Sequence, residues 1–373
     1  MRHVSFLAGN ILATLVVVGL LSCCLYAGQA SADDNATPQT LSNQLFGEAS
    51  TTSRNSVVRY LTLRNRTGDN AAENFYGDER DAVHAGECHV RWTPNIVLDK
   101  LAQNSPLYIP NEEVEIERIE EIDADDFLDR FVTLNNGQRP LVYVHGYRVG
   151  FEKGCLRAAR FSDNLNLGDR LLYFSWPSDG AVFNYTHDEA DAAWSVNYFI
   201  DVLKHLEKLF GRGGFDVVAH SLGARIATLA IVGLNEESPD AEPLVDRLVL
   251  VAADIDADIF SQLLPTLRKR VRQISIYVSR HDSALMLSRE VHGYPRLGEL
   301  GPHLIGLTGI ESLDVSDLDL RRVSGHLYHL YNDEVVGDLN ELINQHRTAP
   351  ERGRPVRIDP TVPGYYRLVV PPH

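Results

Sequence analysis

From residue 141 onward, short apolar runs alternate with longer amphipathic ones. Leu141 to His145, Leu171 to Trp176, Phe215 to Val218, Arg247 to Ala252, Ile274 to Ser279 and Ile310 to Val315 are each too short for a stable helix and largely apolar. They read as strands buried on both faces, the Ile310 run as the last of them. The stretches between them carry helical periods. Phe151 to Leu165 sets Phe151, Cys155, Ala158, Ala159 and Ser162 near one face, and Asp188 to Phe210 is a long helix stopped at Gly211, Gly213 and Gly214. Arg225 to Leu234, Ile259 to Val271, Ser283 to Val291 and a closing run from about Tyr328 to Asn344 are also helical. Strands alternating with helices of this length imply crossover units, hence an α/β fold with a mainly parallel central sheet and helices on both faces.

The flanks are less regular. Val57 to Leu63 and Glu87 to Trp92 read as strands, and Asp125 to Leu134 as a helix carrying Phe127, Leu128 and Phe131. Glu112 to Asp129 is dense in carboxylates and reads as a solvated face. Residues 348–373 hold six prolines and read as an extended tail, with Tyr365 to Val370 laid against the domain. The chain has 373 residues, 44% of them hydrophobic, so one large domain over 56–347 has enough apolar side chains for a full core. A net charge of −16 argues against nucleic acid or an anionic membrane surface as partner.

The first 32 residues have the make-up of a signal peptide: Arg2, an apolar run from Ile11 to Leu25, then Ala30-Ser31-Ala32 at the cleavage position. Cleavage there leaves an exported protein, periplasmic or extracellular. Two alternatives stay open. Leu20-Leu21-Ser22-Cys23 resembles a lipoprotein box that would lipidate Cys23, and an uncleaved run would anchor the N-terminus, although it is shorter than the about 20 residues of a full span. Residues 33–55 are a polar spacer. Beyond the leader only Cys88 and Cys155 remain. One disulfide or two separate buried thiols both fit, and nothing in the sequence brings the two together. No Cys/His spacing suggests zinc.

The chemistry centres on Val218-Ala219-His220-Ser221-Leu222-Gly223, between a strand and a helix. A serine on a sharp strand-to-helix turn is a nucleophile elbow, usually Gly-x-Ser-x-Gly; here Ala219 takes the first glycine's place. Serine needs a base within hydrogen-bond reach, and the base needs a carboxylate to orient it. In the chain order that goes with such an elbow, acid and then histidine follow the serine. Asp282, three residues after the Ile274 strand, is the leading acid and also a candidate helix N-cap, with Asp254 and Asp256 behind it. His326, in Ser324-Gly325-His326, is the leading base, with His329 behind it; His220 adjoins the serine, but the elbow turns its side chain away. The oxyanion donors expected are the N–H groups of Leu222 and of Tyr147 in His145-Gly146-Tyr147. His145, Gly146, Arg148, Trp176 and Tyr185 follow strand ends at the same edge and are candidates for contact with substrate.

Val144-His145-Gly146-Tyr147, Phe151-Glu152, Phe174-Ser175-Trp176-Pro177-Ser178, Ala219-His220-Ser221-Leu222-Gly223, Val278 to Leu285, Arg296-Leu297-Gly298 and Gly325-His326 occur in that order. Together they resemble a bacterial family of α/β-hydrolases catalogued as a domain of unknown function and labelled esterase/lipase-like. Gly77 to Val90 looks like that family's lead-in, and the resemblance spans about residues 57–345. It implies an α/β-hydrolase fold with Ser221 as nucleophile, Asp282 as acid and His326 as base, and supplies no substrate. It leads one to expect asparagine where Arg148 stands.

The reading is therefore an exported serine hydrolase of carboxylic esters, working through an acyl-enzyme without metal or cofactor, on a small-molecule acyl substrate. No long apolar insertion suggests a lid, which favours short or polar acyl groups. Thioesterase, amidase, peptidase and acyltransferase chemistry would use the same residues. A catalytically silent, envelope-associated binding protein is the competing class, and the intact Ser-Asp-His order argues against it.

Overall fold

The computed structural model describes residues 53–94, 112–180, 185–234, 242–318, 325–353, 356–358 and 364–368. The leader, Cys23 and the spacer up to residue 52 lie outside them. Residues 51–373 form one compact unit.

The chain opens with β1 (Arg54–Arg66), β2 (Tyr76–Pro94) and β3 (Glu112–Ile122), then α1 (Ala124–Asn135) and β4 (Leu141–Val144). There follow α2 (Phe151–Asn164), β5 (Leu171–Ser175), α3 (Tyr185–Phe210), β6 (Asp216–His220), α4 (Leu222–Gly233), β7 (Val245–Val251) and α5 (Ala257–Arg270). The last part holds β8 (Val271–Val278), α6 (Ser283–His292), β9 (Glu311–Asp314), α7 (Tyr328–Tyr331), α8 (Asp333–Asn344), β10 (Val356–Ile358) and β11 (Tyr365–Leu368). These strands form a single sheet in the order β10-β11-β9-β8-β7-β6-β4-β5-β1-β2-β3. From β11 to β1 all neighbours run parallel, and antiparallel strands close both edges. This is the α/β-hydrolase arrangement.

The apolar runs become the central strands because they are covered on both sides: β4, β5, β6 and β7 are buried at every position. One core layer joins Phe127 and Phe131 of α1 to Phe199 and Leu203 of α3, Ile226 of α4 and Phe260 of α5. The other packs Cys155 and Phe161 of α2, with Leu339 and Leu342 of α8, on the opposite face. From β4 the chain steps to β5 on one side and then crosses back to β6 on the other. That reversal leaves a crevice at the carboxyl ends of β4 and β6, where open parallel sheets hold their ligands.

Three expectations change. The acidic stretch contains a strand, β3, paired along β2 from Ala85↔Ile122 to Pro94↔Glu112. Glu117 is an extra residue there: His89 pairs with Arg118 and Val90 with Ile116, so the apolar alternation skips a beat. Ile310 to Val315 is not the last strand, since β11 adds to β9 in parallel and β10 closes the edge. The sheet therefore extends past residue 347 into the proline-rich tail. The closing helix is two helices, split at Asn332, whose side-chain oxygen accepts from the Val335 N–H to cap α8.

Cys88 of β2 and Cys155 of α2 are joined by a disulfide, with Cα atoms 6.5 Å apart. Of the two readings open in the sequence, the structure takes the bridge. Among the described residues no helix is long and apolar enough to cross a membrane.

Candidate active site

β6 ends at His220 and α4 begins at Leu222, so Ser221 alone makes the turn. Its φ of 53° and ψ of −122° lie where a residue with a side chain rarely sits, at a cost of about 1–3 kcal/mol. The neighbours enforce it. The Ser221 N–H donates to Val251 O at 3.0 Å, and its carbonyl accepts from Asp254 N–H at 3.1 Å and Ala224 N–H at 3.0 Å. Two glycines make room. A Cβ on Gly223 would fall 2.3 Å from the His145 carbonyl oxygen, and one on Gly146 would fall 2.7 Å from the Ser221 Cβ. Gly146 thus lies directly against the elbow. The serine is almost covered, with 3% of its surface exposed.

Asp282 follows β8, and its Oδ1 accepts from Ala284 N–H and Leu285 N–H at 3.1 Å each, so it caps α6. The same carboxylate receives His326 Nδ1–H at 3.0 Å to Oδ1 and 2.8 Å to Oδ2. Cap and histidine partner are one residue, and the structure brings the expected acid and base together. The His326 loop folds down onto this pair at Gly325, whose φ is +66° and whose Cβ position lies 2.3 Å from His281 O. Burial acts to lower the His326 pKa, but the Asp282 charge and hydrogen bond outweigh it and hold the pKa above the ordinary 6.5. The His326 side chain keeps 16% of its surface exposed, and its ring lies 4.6 Å, centroid to centroid, from that of His220 beside Ser221.

The runners-up have other occupations. Asp254 is buried and accepts from Arg296 Nε at 2.6 Å, Tyr185 OH at 2.6 Å and Ser288 Oγ at 2.7 Å. Asp256 caps α5 through Asp258 N–H and Ile259 N–H. His329 is buried in α7 with Nε2 at 3.1 Å from Tyr143 OH. Burial first, then the neighbouring His326, keeps it neutral well below pH 6.5.

The candidate substrate contacts divide. His145 and Trp176 are 1% and 0% exposed and stack on each other at 5.1 Å. Trp176 Nε1–H donates to His145 O at 2.8 Å, and His145 Nε2 faces Trp176 O at 3.1 Å. This pair clamps the loops after β4 and β5 and offers a ligand no surface, which corrects the expectation for both. Tyr147 and Tyr185 are half-buried and meet edge to face at 5.2 Å, leaving an aromatic wall partly open. Arg148 is exposed, with φ +58°, a left-handed conformation that asparagine tolerates well; that explains why asparagine suits this position. Its N–H donates to Asp188 Oδ2 at 3.2 Å.

Two residues that the sequence did not mark hold these loops. Asp188, fully buried at the start of α3, also accepts from Ser178 Oγ at 2.5 Å and Asp179 N–H at 2.7 Å. Arg64 of β1, equally buried, donates to Val149 O at 2.6 Å, Ser178 O at 3.0 Å, Gly77 O at 3.1 Å and Ser175 Oγ at 3.0 Å. A lone charge in an otherwise ordinary strand or helix gives no pattern to read. Elsewhere Glu87, His89 and Glu120 gather ligand-type atoms within 4.8 Å, as do His187, Asp188 and Asp191. Arginines already take up carboxylates in both groups: Arg59 and Arg130 on Glu87, Arg118 on Glu120, Arg80 on Asp191.

No curated protein matches the chain. Among solved structures it is similar to an esterase from Pyrococcus furiosus, at 10% identity over 86% of this chain and 99% of that one, with a TM-score of 0.36. An esterase from Pyrobaculum calidifontis (12% identity, 56% of this chain and 77% of that one, TM-score 0.34) is also similar. So is a predicted CIB-like hydrolase from Thermoplasma acidophilum (15% identity, 57% and 88%, TM-score 0.32). Overlaps this loose add nothing to the strand order and elbow above. The sequence profile described as "Alpha/beta hydrolase of unknown function (DUF900)" matches residues 120–346, from the end of β3 through α8, and the chain belongs to that family.

Proposed function

We propose that the protein is an exported serine hydrolase that cleaves carboxylic esters through an acyl-enzyme on Ser221. The observation that carries this reading is the strained elbow at Ser221, with His326, held by Asp282 and raised in basicity, packed at 4.6 Å against the ring of the adjoining His220. In the reading, Ser221 Oγ attacks the acyl carbon while His326 Nε2 takes its proton. The N–H groups of Tyr147 and Leu222 receive the negative charge that develops on the carbonyl oxygen. When the carbon–oxygen bond breaks, the alcohol leaves with the proton from His326. Water then repeats the attack on the acyl-enzyme, giving its proton to His326, and the acid departs with Ser221 restored. Asp282 fixes the ring with Nδ1 protonated and stabilises the imidazolium formed at each step. The Tyr147–Tyr185 pair is the proposed wall for the acyl or alcohol group.

Export is favoured by the leader sequence and by the Cys88–Cys155 bridge, since disulfides persist in oxidising compartments. The test is turnover of 4-nitrophenyl esters of increasing acyl length beside matched anilides. Ester hydrolysis that Ser221→Ala lowers by about 10⁴-fold or more is the expected result. Hydrolysis of none of the esters, or equal rates in the variant, would remove the proposal.

A further inference from the structure

His220 is buried in the last position of β6, next to Ser221, and takes no part in the proton transfers above. Its Nε2 lies 3.0 Å from the main-chain carbonyl oxygen of His326. A carbonyl can only accept, so the proton is on Nε2 and His220 is the donor. The bare Nδ1 faces Gly146, where a Cβ would come within 2.8 Å of it. The ring lies between those of His326, at 4.6 Å, and His329, at 4.5 Å, and His329 is in turn held at Tyr143 OH.

We propose that His220 is a positioning residue that ties the His326 loop to the strand carrying Ser221, and so sets the distance between base and nucleophile. The inference rests on the reading of His326 as the base. The His326 loop belongs to no strand, and Asp282 holds only its ring. Two residues on, Tyr328 OH donates to Tyr277 O and accepts from the Ala252 N–H, each at 3.0 Å, and the bond at the His326 carbonyl pins the main chain of the base itself between that hold and the one at Nδ1. The anchor at the carbonyl is rigid because β6 is paired on both sides, with Val144↔Ala219 and His220↔Val251 at its end. It also sits one residue from the nucleophile, so no intervening loop adds slack. The donor must remain neutral, because a cation at this place would oppose the charge that His326 takes up. Burial first, then His329 and His326, with Arg157 contributing, hold its pKa well below the ordinary 6.5.

The test compares His220→Gln, His220→Asn and His220→Leu in the full chain, with 4-nitrophenyl butyrate as substrate and thermal melting as the check on folding. Glutamine's amide nitrogen reaches the place of Nε2 and can donate to the carbonyl; asparagine's cannot, and leucine has no donor. The glutamine variant is expected to keep kcat within about 3-fold, while the other two lose about 10–100-fold in kcat with KM within about 2-fold, as for a base displaced by up to 1 Å. Equal losses in the glutamine and asparagine variants, or wild-type kcat in the leucine variant, would overturn the proposal. Imidazole ¹⁵N NMR of the wild-type protein decides independently of any variant: the Nε2–H tautomer at His220 agrees, and an Nδ1–H tautomer overturns it. Failure of the wild-type protein to turn over any ester would strike the reading of His326 instead, and the tautomer result would still stand.

Discussion

Asp282 grips His326 Nδ1 with both carboxylate oxygens, at 3.0 and 2.8 Å, while one of them also caps α6. The two duties separate by substitution. Asparagine caps a helix as well as aspartate does but offers the imidazole no charge. Asp282→Asn should therefore melt close to wild type and lose about 10⁴-fold in kcat on an ester substrate. Asp282→Ala should lose similar activity and a further about 1 kcal/mol of stability with the cap. Kinetics with melting curves check both, and an asparagine variant of near-normal activity would contradict the role given to the pair.

The histidines predict opposite pH effects on activity and stability. His326 is held above 6.5 and must be unprotonated to act as base, so kcat/KM should fall on the acid side with an apparent pKa above 6.5. His145, His220 and His329 are held well below 6.5, chiefly by burial. Each takes up a proton on unfolding below about pH 6.5, so stability should drop with pH there, by about 1.4 kcal/mol per pH unit per histidine until the folded form also titrates. His326 contributes with the other sign: its share is fully present below its unfolded pKa and is lost as pH rises through its folded one. Burial also lowers His89, His303 and His346, so six histidines outweigh His326 and the Asp216 carboxyl, which burial pushes up to about 7 and which acts in the same direction as His326; the net is a loss on acidification. Urea midpoints at pH 7.5 and 5.5 test this, and equal midpoints would contradict it.

The central strands and the elbow were legible in the sequence for a plain reason. β4, β6 and β7 are buried on both faces and so cannot hide their apolar runs, and the turn at Ser221 needs small residues close by. Asp282 and His326 were legible as loop residues after strands. β3 was not, because the extra Glu117 breaks its alternation and its position at the sheet edge lets charges crowd it. β11 is four residues long among prolines and is defined by its pairing with β9 and β10 rather than by its own pattern. Arg64 and Asp188 reach residues far along the chain, 85 from Arg64 to Val149 and 40 from Asp188 to Arg148, and their nearer partners, at Gly77 and Asp179, follow no periodic pattern.

Gly146→Ala tests the fit of the loop after β4 against the elbow. The new Cβ would press on the Ser221 Cβ at 2.7 Å and on His220 Nδ1 at 2.8 Å, both in a buried turn with little room to yield. The expected cost is about 1–3 kcal/mol of stability and about 10²-fold in kcat/KM. Melting and ester kinetics measure the two, and unchanged activity would show that the loop does not abut the nucleophile.

The Cys88–Cys155 bridge closes a sequence separation of 67 residues and ties β2 to the helix that covers it. Chain-entropy arguments give about 4 kcal/mol for a loop of this size, with measured bridges more often in the range of about 2–4 kcal/mol. Reduction, or the double substitution of Cys88 and Cys155 by serine, should lower the urea midpoint accordingly. Peptide mapping that finds Cys88 and Cys155 as free thiols in the oxidised, unfolded protein would contradict the bridge.

The central claim is that Ser221 is the nucleophile, and covalent labelling tests it most directly. Purified full-length protein is treated with a fluorophosphonate, digested, and its peptides mapped by mass spectrometry. The account predicts one adduct, on the peptide that contains Ser221, and its loss in Ser221→Ala. An adduct on another residue, or equal labelling of the Ser221→Ala protein, would contradict it.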